Sequence, residues 1–491
     1  MPRAAALFLM VPAVLLSSVP AHADEAAARA AAAYLKRIAA IDDRGPAIRA
    51  VLSVNPDAVA QARAANGPLA GRSVLVKDNI ETRELPTTAG SLALADNLTG
   101  RDAPLIARLR AAGGVVLGKT NLSEWANIRS PWSASGWSAI GGQTRNPHAL
   151  DRSPCGSSSG SGAAVAAGMA WAAIGTETDG SITCPASVGG IVGFKPTVGM
   201  ISRTFVVPIS RSQDTPGPMA VSVADAALLL NAIAGSDPAD PATAEADARK
   251  TDFTAGLADS SLKGVRIGVL RQQAGSEPKT LRVFEAALAD LRAAGAVLVD
   301  VAYTFPAALG DGESEVLHHE LREDLGAYLR GLPGTPPVRS LAEVIAFNTA
   351  HPAELALFGQ ETFEKSERAT DPALYAAARA TSLALAGTAG IDRLLGSNSV
   401  ALLIAPTEGP AWPTDHVMGE RGLSGVGAGT LPAVAGYPHL TVPMGAVEGL
   451  PVGLSFIGAK WADAAVLRAG AAYERARTAK LAVPRFKSWG E

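Results

Sequence analysis

Short, wholly apolar runs set beside segments of helical period constrain this chain more than any other feature. Residues 104–112 (PLIARLRAA) read as a helix opened by proline, and VVLGKT at 115–120 follows as a strand. The second half repeats the pattern: GVRIGVL (264–270) reads as a strand, TLRVFEAALADLRAAG (280–295) as a helix closed by glycine, and AVLVDV (296–301) as a strand. A strand that is apolar at nearly every residue needs cover on both faces, and helices between strands supply it. The expectation is an α/β layered fold. Residues 26–41 have helical composition, and 234–262, rich in Ala, Asp and Pro, read as a surface excursion. No internal repeat and no linker interrupts the chain, so residues 24–491 are expected to form one domain.

The bulk composition narrows the function. With 491 residues, 48% hydrophobic and 18% charged, the chain has ample apolar material for a large core and no disordered character. A net charge of −3 lacks the basic excess that phosphate backbones demand, which argues against nucleic acid as a partner. Cys155 and Cys184, the two cysteines, exclude a disulfide scaffold and a four-cysteine zinc site, and no metal is expected. Their spacing is compatible both with one disulfide and with two buried thiols.

The first residues read as an address. Arg3 supplies a positive start, AAALFLMVPAVLL a short apolar stretch, and Ala21-His22-Ala23 a small-x-small cleavage pattern. A membrane anchor would need about 20 apolar residues, whereas Pro12, Ser17, Ser18 and Pro20 interrupt this run. Residues 1–23 are therefore expected to be a signal peptide cleaved after Ala23, which makes the protein periplasmic or secreted, without a stable membrane anchor.

Two hydroxyl-rich, glycine-rich stretches carry the chemistry. CGSSSGSG (155–162) opens an Ala-rich apolar run, and GTETDGSITCP (175–185) follows it. By composition the first is a flexible linker. A linker, however, has no use for a buried element and a second such turn directly after it; two turns bracketing one helix can converge on one site. Upstream, SVLVKDNIE (73–81) places Lys77 at the end of a buried strand, where desolvation lowers an amine's pKa and makes it a base. Lys77, Ser157 and Ser181 together suit the serine–lysine form of acyl transfer, in which a second serine takes the place of histidine.

These residues resemble the amidase signature family of serine hydrolases. The resemblance rests on VKDNI, CGSSSGSGAAVAAG and GTETDGSITCPASVGGIVGFKPTVG, and on the 24 residues between Ser157 and Ser181. It is dense over roughly residues 65–235, through NLSEWANIRS (121–130), SGWSAIGGQTRNP (135–147) and SQDTPGPMAVSVADAALLL (212–230). Thinner matches, IAPTEGPAW (404–412) and GYPHLTVPMG to FIG (436–458), carry it nearly to the end. Within the family the wording is most similar to bacterial peptide amidases, which remove the C-terminal amide from peptides. The resemblance implies a large mixed β-sheet with helices on both faces, Ser181 as nucleophile, Ser157 as bridging serine after a cis peptide bond, and Lys77 as base. It further implies an oxyanion hole from the backbone amides of Thr178, Asp179, Gly180 and Ser181, supporting hydroxyls on Ser158 and Thr176, and no cofactor. The partner it implies is a peptide or small-molecule amide, taken by a monomer or simple homo-oligomer.

Two departures from the family's pattern bear on substrate. Many members carry arginine two residues after the nucleophile, where this chain has Thr183, so small free acids and glutamyl substrates lose their charge partner. Asp179 stands where others have glycine, and its role is open. Trp132 and Trp137, in a Ser/Gly-rich loop, are expected to line an extended substrate cleft, although packing is the default role of tryptophan. Other readings compete. Gly156-Ser157-Ser158-Ser159-Gly160 satisfies the Gly-x-Ser-x-Gly elbow, with Ser158 as nucleophile and His416 or His439 as base, but a loop rather than a strand precedes it. The same signature is shared by aryl and fatty acyl amide hydrolases and by the amidase component of tRNA-dependent amidotransferases.

Overall fold

A computed structural model describes residues 21–491, with side chains from Glu25 onward. The expected export signal and its cleavage point lie outside the residues whose side chains are described. Eleven strands form one mixed sheet: β1 (Val51–Val54), β2 (Ser73–Lys77), β3 (Val115–Thr120), β4 (Ala172–Glu177), β5 (Val192–Lys195), β6 (Thr215–Ala220), β7 (Arg266–Val269), β8 (Val297–Asp300), β9 (Leu402–Pro406), β10 (His439–Val447) and β11 (Leu450–Ile457). Their spatial order is β1-β3-β2-β4-β6-β5-β10-β11-β9-β7-β8. Parallel pairing joins β3, β2 and β4 on one side and β9, β7 and β8 on the other, while the centre is antiparallel.

The strands are apolar because both faces of the sheet are covered. Successive side chains on a strand point to opposite faces, and β2 shows the result. Val74 and Val76 pack with Val116, Ile174 and Phe194 in one core, whereas Leu75 packs with Leu117, Ala173 and Met219 in the other. The helices expected near 104–112 and 280–295 form as Pro104–Ala111 and Pro278–Ala293, each with proline in its first turn. Among the described residues no helix is long and apolar enough to cross a membrane.

Two local expectations are corrected. The Ala-rich run between the hydroxyl stretches is not one helix: helix Ser159–Ala166 ends, Gly168 turns at φ +68°, and the chain re-enters the sheet as β4. Alanine suits either element, and glycine in the left-handed region decided the break. Residues 234–262 are not wholly a surface excursion either, since Phe253, Leu257 and Leu262 are buried in the same core as Val74 and Val76.

The sheet places the site. β2 and β4 run side by side and parallel, with Val76 opposite Ile174, so Lys77 and Thr176 emerge together at the carboxyl ends of neighbouring strands. That is where open α/β sheets bind ligands.

Candidate active site

Lys77 is fully buried at the end of β2. Its Nζ lies 2.7 Å from Ser157 Oγ, 2.9 Å from Thr176 Oγ1 and 3.1 Å from the Thr176 carbonyl oxygen. Asn79 Nδ2 donates to the same threonine hydroxyl at 3.0 Å. Burial pushes the lysine down to about 7, against the pull of the Asp214 and Glu177 charges toward the protonated form. A neutral amine has two N–H groups and one lone pair. Nζ is the donor in all three contacts, and once it loses a proton it can turn its lone pair to the Ser157 hydroxyl.

Ser157 follows a cis Gly156–Ser157 peptide bond and is completely enclosed. Ser158 has a different task. Its Oγ donates to the Thr176 carbonyl at 3.0 Å and accepts from the Thr176 amide at 3.2 Å, while its own N–H donates to the Ser181 carbonyl at 3.2 Å. It ties the Ser157 segment to β4 and to the Ser181 segment. The elbow arrangement is absent among the described residues: His439 Nε2 bonds Ser455 Oγ at 2.6 Å, and His416 Nε2 bonds Gln143 Oε1 at 2.8 Å.

Ser181 stands just ahead of helix Thr183–Val188, and at 8% exposure it reaches the surface that Ser157 and Lys77 do not. Gly180, at φ +74°, turns the chain into this position; a side chain there would find open space but a strained backbone. Among the described residues, none of the four amides from Thr178 to Ser181 donates to a backbone carbonyl. They form the loop that the resemblance assigned to an oxyanion hole.

Acidic residues brace this loop, and of these Glu177, Asp214 and Glu313 lie outside the expected set. Glu177, buried at the end of β4, accepts from the amides of Ile182 at 2.8 Å and Thr183 at 3.0 Å, holding the turn behind Ser181. Asp214 accepts from Thr178 Oγ1 at 2.6 Å and from the amides of Ile209 and Ser210, each at 2.8 Å. Gln213 Nε2 donates to the Thr178 carbonyl at 3.2 Å and to Glu313 at 2.8 Å. Asp179 accepts from Thr430 Oγ1 at 2.7 Å, and burial raises its pKa above the ordinary carboxylate range. Its side chain thus fastens the loop to helix Thr430–Ala435. Glu177, Asp179 and Asp214 sit inside the quoted stretches GTETDGS and SQDTPG, so the sequence held them, but only contacts reveal which groups they hold.

A cavity of about 460 Å³ opens beside Gly180. Asp179, Glu408 and Glu420 are the charged residues in its wall, and Trp412 is its aromatic. Burial pushes Glu408 up to about 7. The expected tryptophans are corrected here: neither Trp132 nor Trp137 lines this cavity. Trp137 is buried edge-on to Phe358 with centroids 5.1 Å apart, and Trp132 is 56% exposed. Sequence proximity to the serines favoured them, whereas the segment that folds over the site comes from residues 404–430. Cys155 and Cys184 also line the cavity and are joined as a disulfide, which settles the two alternatives left by the sequence.

Amidase sequences as a family match residues 29–467. The chain belongs to the amidase signature family. Its fold matches the peptide amidase of Stenotrophomonas maltophilia with a TM-score of 0.89 and 46% identity, covering 96% of this chain and 100% of that one. An amidase family protein from Bacillus anthracis aligns with a TM-score of 0.85 and 32% identity, over 95% of this chain and 92% of that one. The glutamyl-tRNA(Gln) amidotransferase of Salinispora tropica has a subunit that is 38% identical over 492 residues, 94% of this chain and 96% of its own. The amidase signature fold and its mixed sheet are thereby shared with solved amidases, and the chain is a hydrolase of amides.

Proposed function

We propose that this amidase hydrolyses the terminal carboxamide of peptides through an acyl-enzyme on Ser181, with Ser157 as proton bridge and Lys77 as base. The observation that carries the reading is the 2.7 Å approach of Ser157 Oγ to a buried lysine whose pKa burial lowers to about 7. Ser181 Oγ attacks the carboxamide carbon while its proton passes to Ser157 Oγ, and the Ser157 proton passes to the Lys77 lone pair. The amides of residues 178–181 stabilise the tetrahedral oxyanion, each such donor contributing about 2.7–4 kcal/mol. On collapse Ser157 gives a proton to the departing NH₂ and is itself reprotonated by Lys77, so ammonia leaves. Water then follows the same relay to release the free acid and Ser181.

The cavity wall supports a carboxamide over an acid. Among the described residues three carboxyls and no cation face it, so a substrate carboxylate beside Ser181 would be desolvated without a partner. The same carboxyls disfavour an aryl or fatty acyl chain, which would leave them buried against hydrocarbon. Export is part of this proposal, supported by the N-terminal pattern and by a disulfide, which persists in oxidising compartments.

Ammonia release is the test. Peptide amides with neutral C-terminal residues should release ammonia from the purified chain alone. Amides of peptides ending in Asp or Glu should show kcat/KM at least about tenfold lower, the equivalent of about 1.4 kcal/mol of repulsion. Hydrolysis of long-chain fatty amides in preference to every peptide amide would sink the substrate assignment. Activity that appears only after the other components of an amidotransferase are added would instead favour the assembly reading that the Salinispora relative raises.

A further inference from the structure

The two serines of the proposed relay come from different segments of chain, and their side chains make no direct hydrogen bond among the described residues. Something must set the distance between them. One backbone bond, Ser158 N–H to the Ser181 carbonyl at 3.2 Å, joins the segments, and so does one covalent link. Cys155 lies two residues before Ser157, Cys184 three residues after Ser181, and the disulfide between them spans 6.0 Å from Cα to Cα.

The bridge reaches both catalytic segments at their turning points. Cys155 is held at φ +52°, a left-handed conformation that a non-glycine residue adopts at a cost. Its carbonyl accepts from Ser159 Oγ at 2.5 Å and its amide donates to Ser153 Oγ at 3.1 Å. Cys184 lies in the first turn of the helix behind the nucleophile, its amide donating to the Gly180 carbonyl at 2.8 Å. Pulling on either sulfur therefore pulls on the peptide that carries Ser157 or on the turn that presents Ser181. Both cysteines line the cavity, with Val188 and Ala411 packed around them. The bridge is wall and staple at once.

We propose that the Cys155–Cys184 disulfide is a positioning element of the reaction centre, setting the approach of Ser181 to Ser157 so that opening it slows acylation while leaving the substrate cavity in place. This rests on the Ser181–Ser157–Lys77 reading above. Proton transfer between two hydroxyls tolerates little misplacement, and a shift of about 1 Å can cost about 10²-fold in rate. Of the segment 407–430 only Ala411 and Trp412 pack in the hydrophobic cluster of the bridge, so most of that segment's share of the cavity wall is held by other contacts.

The experiment treats the full chain with a water-soluble phosphine, which with one water reduces the disulfide to two thiols and becomes the phosphine oxide. Thiol titration confirms two free thiols per chain, and circular dichroism confirms the fold. Steady-state ammonia release is then measured before reduction, after it, and after re-oxidation. The expected result is a fall in kcat of about 10- to 100-fold with KM within about twofold, restored on re-oxidation. The Cys155→Gly/Cys184→Ala variant, which accommodates φ +52° without a bridge, should show the same split and no response to phosphine. Unchanged kcat with two titrated thiols would overturn the proposal. A proportional loss of kcat and fold in both the reduced chain and the variant would overturn it too, assigning the bridge to stability alone. An oxidised chain inactive on every amide would instead count against the relay itself, so the two failures are distinguishable.

Discussion

Ser181→Ala is expected to abolish ammonia release, with kcat falling by about 10⁵- to 10⁶-fold, while the chain stays folded. The loss is large because the neighbouring serines of the relay segment cannot take over the acyl intermediate: Ser157 is completely enclosed and Ser158 is committed to the backbone of β4. Folding should survive because the Ser181 side chain holds no partner, among the described residues, that alanine would orphan, so stability should change by no more than about 1 kcal/mol. Ser158→Ala is the contrast. It leaves the Thr176 amide without its acceptor and should cost about 1–3 kcal/mol of stability, yet part of the turnover should remain. Thermal melting and ammonia release, run on both variants, separate the roles. Full activity in Ser181→Ala, or its complete loss only in Ser158→Ala, would transfer the nucleophile to Ser158 and the Gly-x-Ser-x-Gly reading.

Lys77→Met should lower kcat/KM by at least about 10³-fold, because a methionine fills the same buried space without a lone pair for the Ser157 proton. The wild-type pH profile carries the same information. With the lysine pushed down to about 7, kcat/KM should rise about tenfold per pH unit below that value and level off above it. An amine left at its ordinary pKa near 10.4 would be only about 0.1% neutral at pH 7.5 and would give a profile still climbing at pH 9. Stability should follow with a sign that can be worked out. The folded lysine releases its proton near 7 and the unfolded one near 10.4, so between these values the unfolded chain binds more protons and stability increases with pH. Below about pH 7 the full cost of burying the charge is present. In Lys77→Met that contribution should vanish, and the difference between wild type and variant in urea unfolding at pH 6 and pH 9 would reveal it, since Lys195, Glu313 and Glu408 titrate in the same window in both chains. A kcat/KM profile flat from pH 5 to 9 would remove lysine as the base.

Much of the candidate site could be read from residues alone because each of its members sits in a short stretch of distinctive composition. Lys77 ends a buried strand, Ser157 sits in CGSSSGSG and Ser181 follows a glycine that must turn the chain, and each of those patterns is visible without coordinates. The two-sided cover of the sheet was visible for the same reason: wholly apolar strands leave no face for water. Where reading failed, the deciding contact lay far away in sequence. Trp132 and Trp137 stand close to the serines along the chain, but Trp412, more than two hundred residues beyond Ser181, lines the cavity. The single helix expected after Gly162 is broken by the φ of Gly168, a choice that alanine composition does not express.

The residue order by itself determined the layered fold, through its hydrophobic pattern, and the family, through the motifs that resemble it, and those motifs nominate Lys77, Ser157 and Ser181 for the proposed relay. Only the tertiary structure decided that Cys155 and Cys184 pair, that Glu177 and Asp214 hold the loop bearing Ser181, and that carboxyls rather than cations face the cavity. Those are matters of distance between segments brought together by the sheet, and a pairing energy that falls off within a few ångströms leaves no trace in the spacing along the chain.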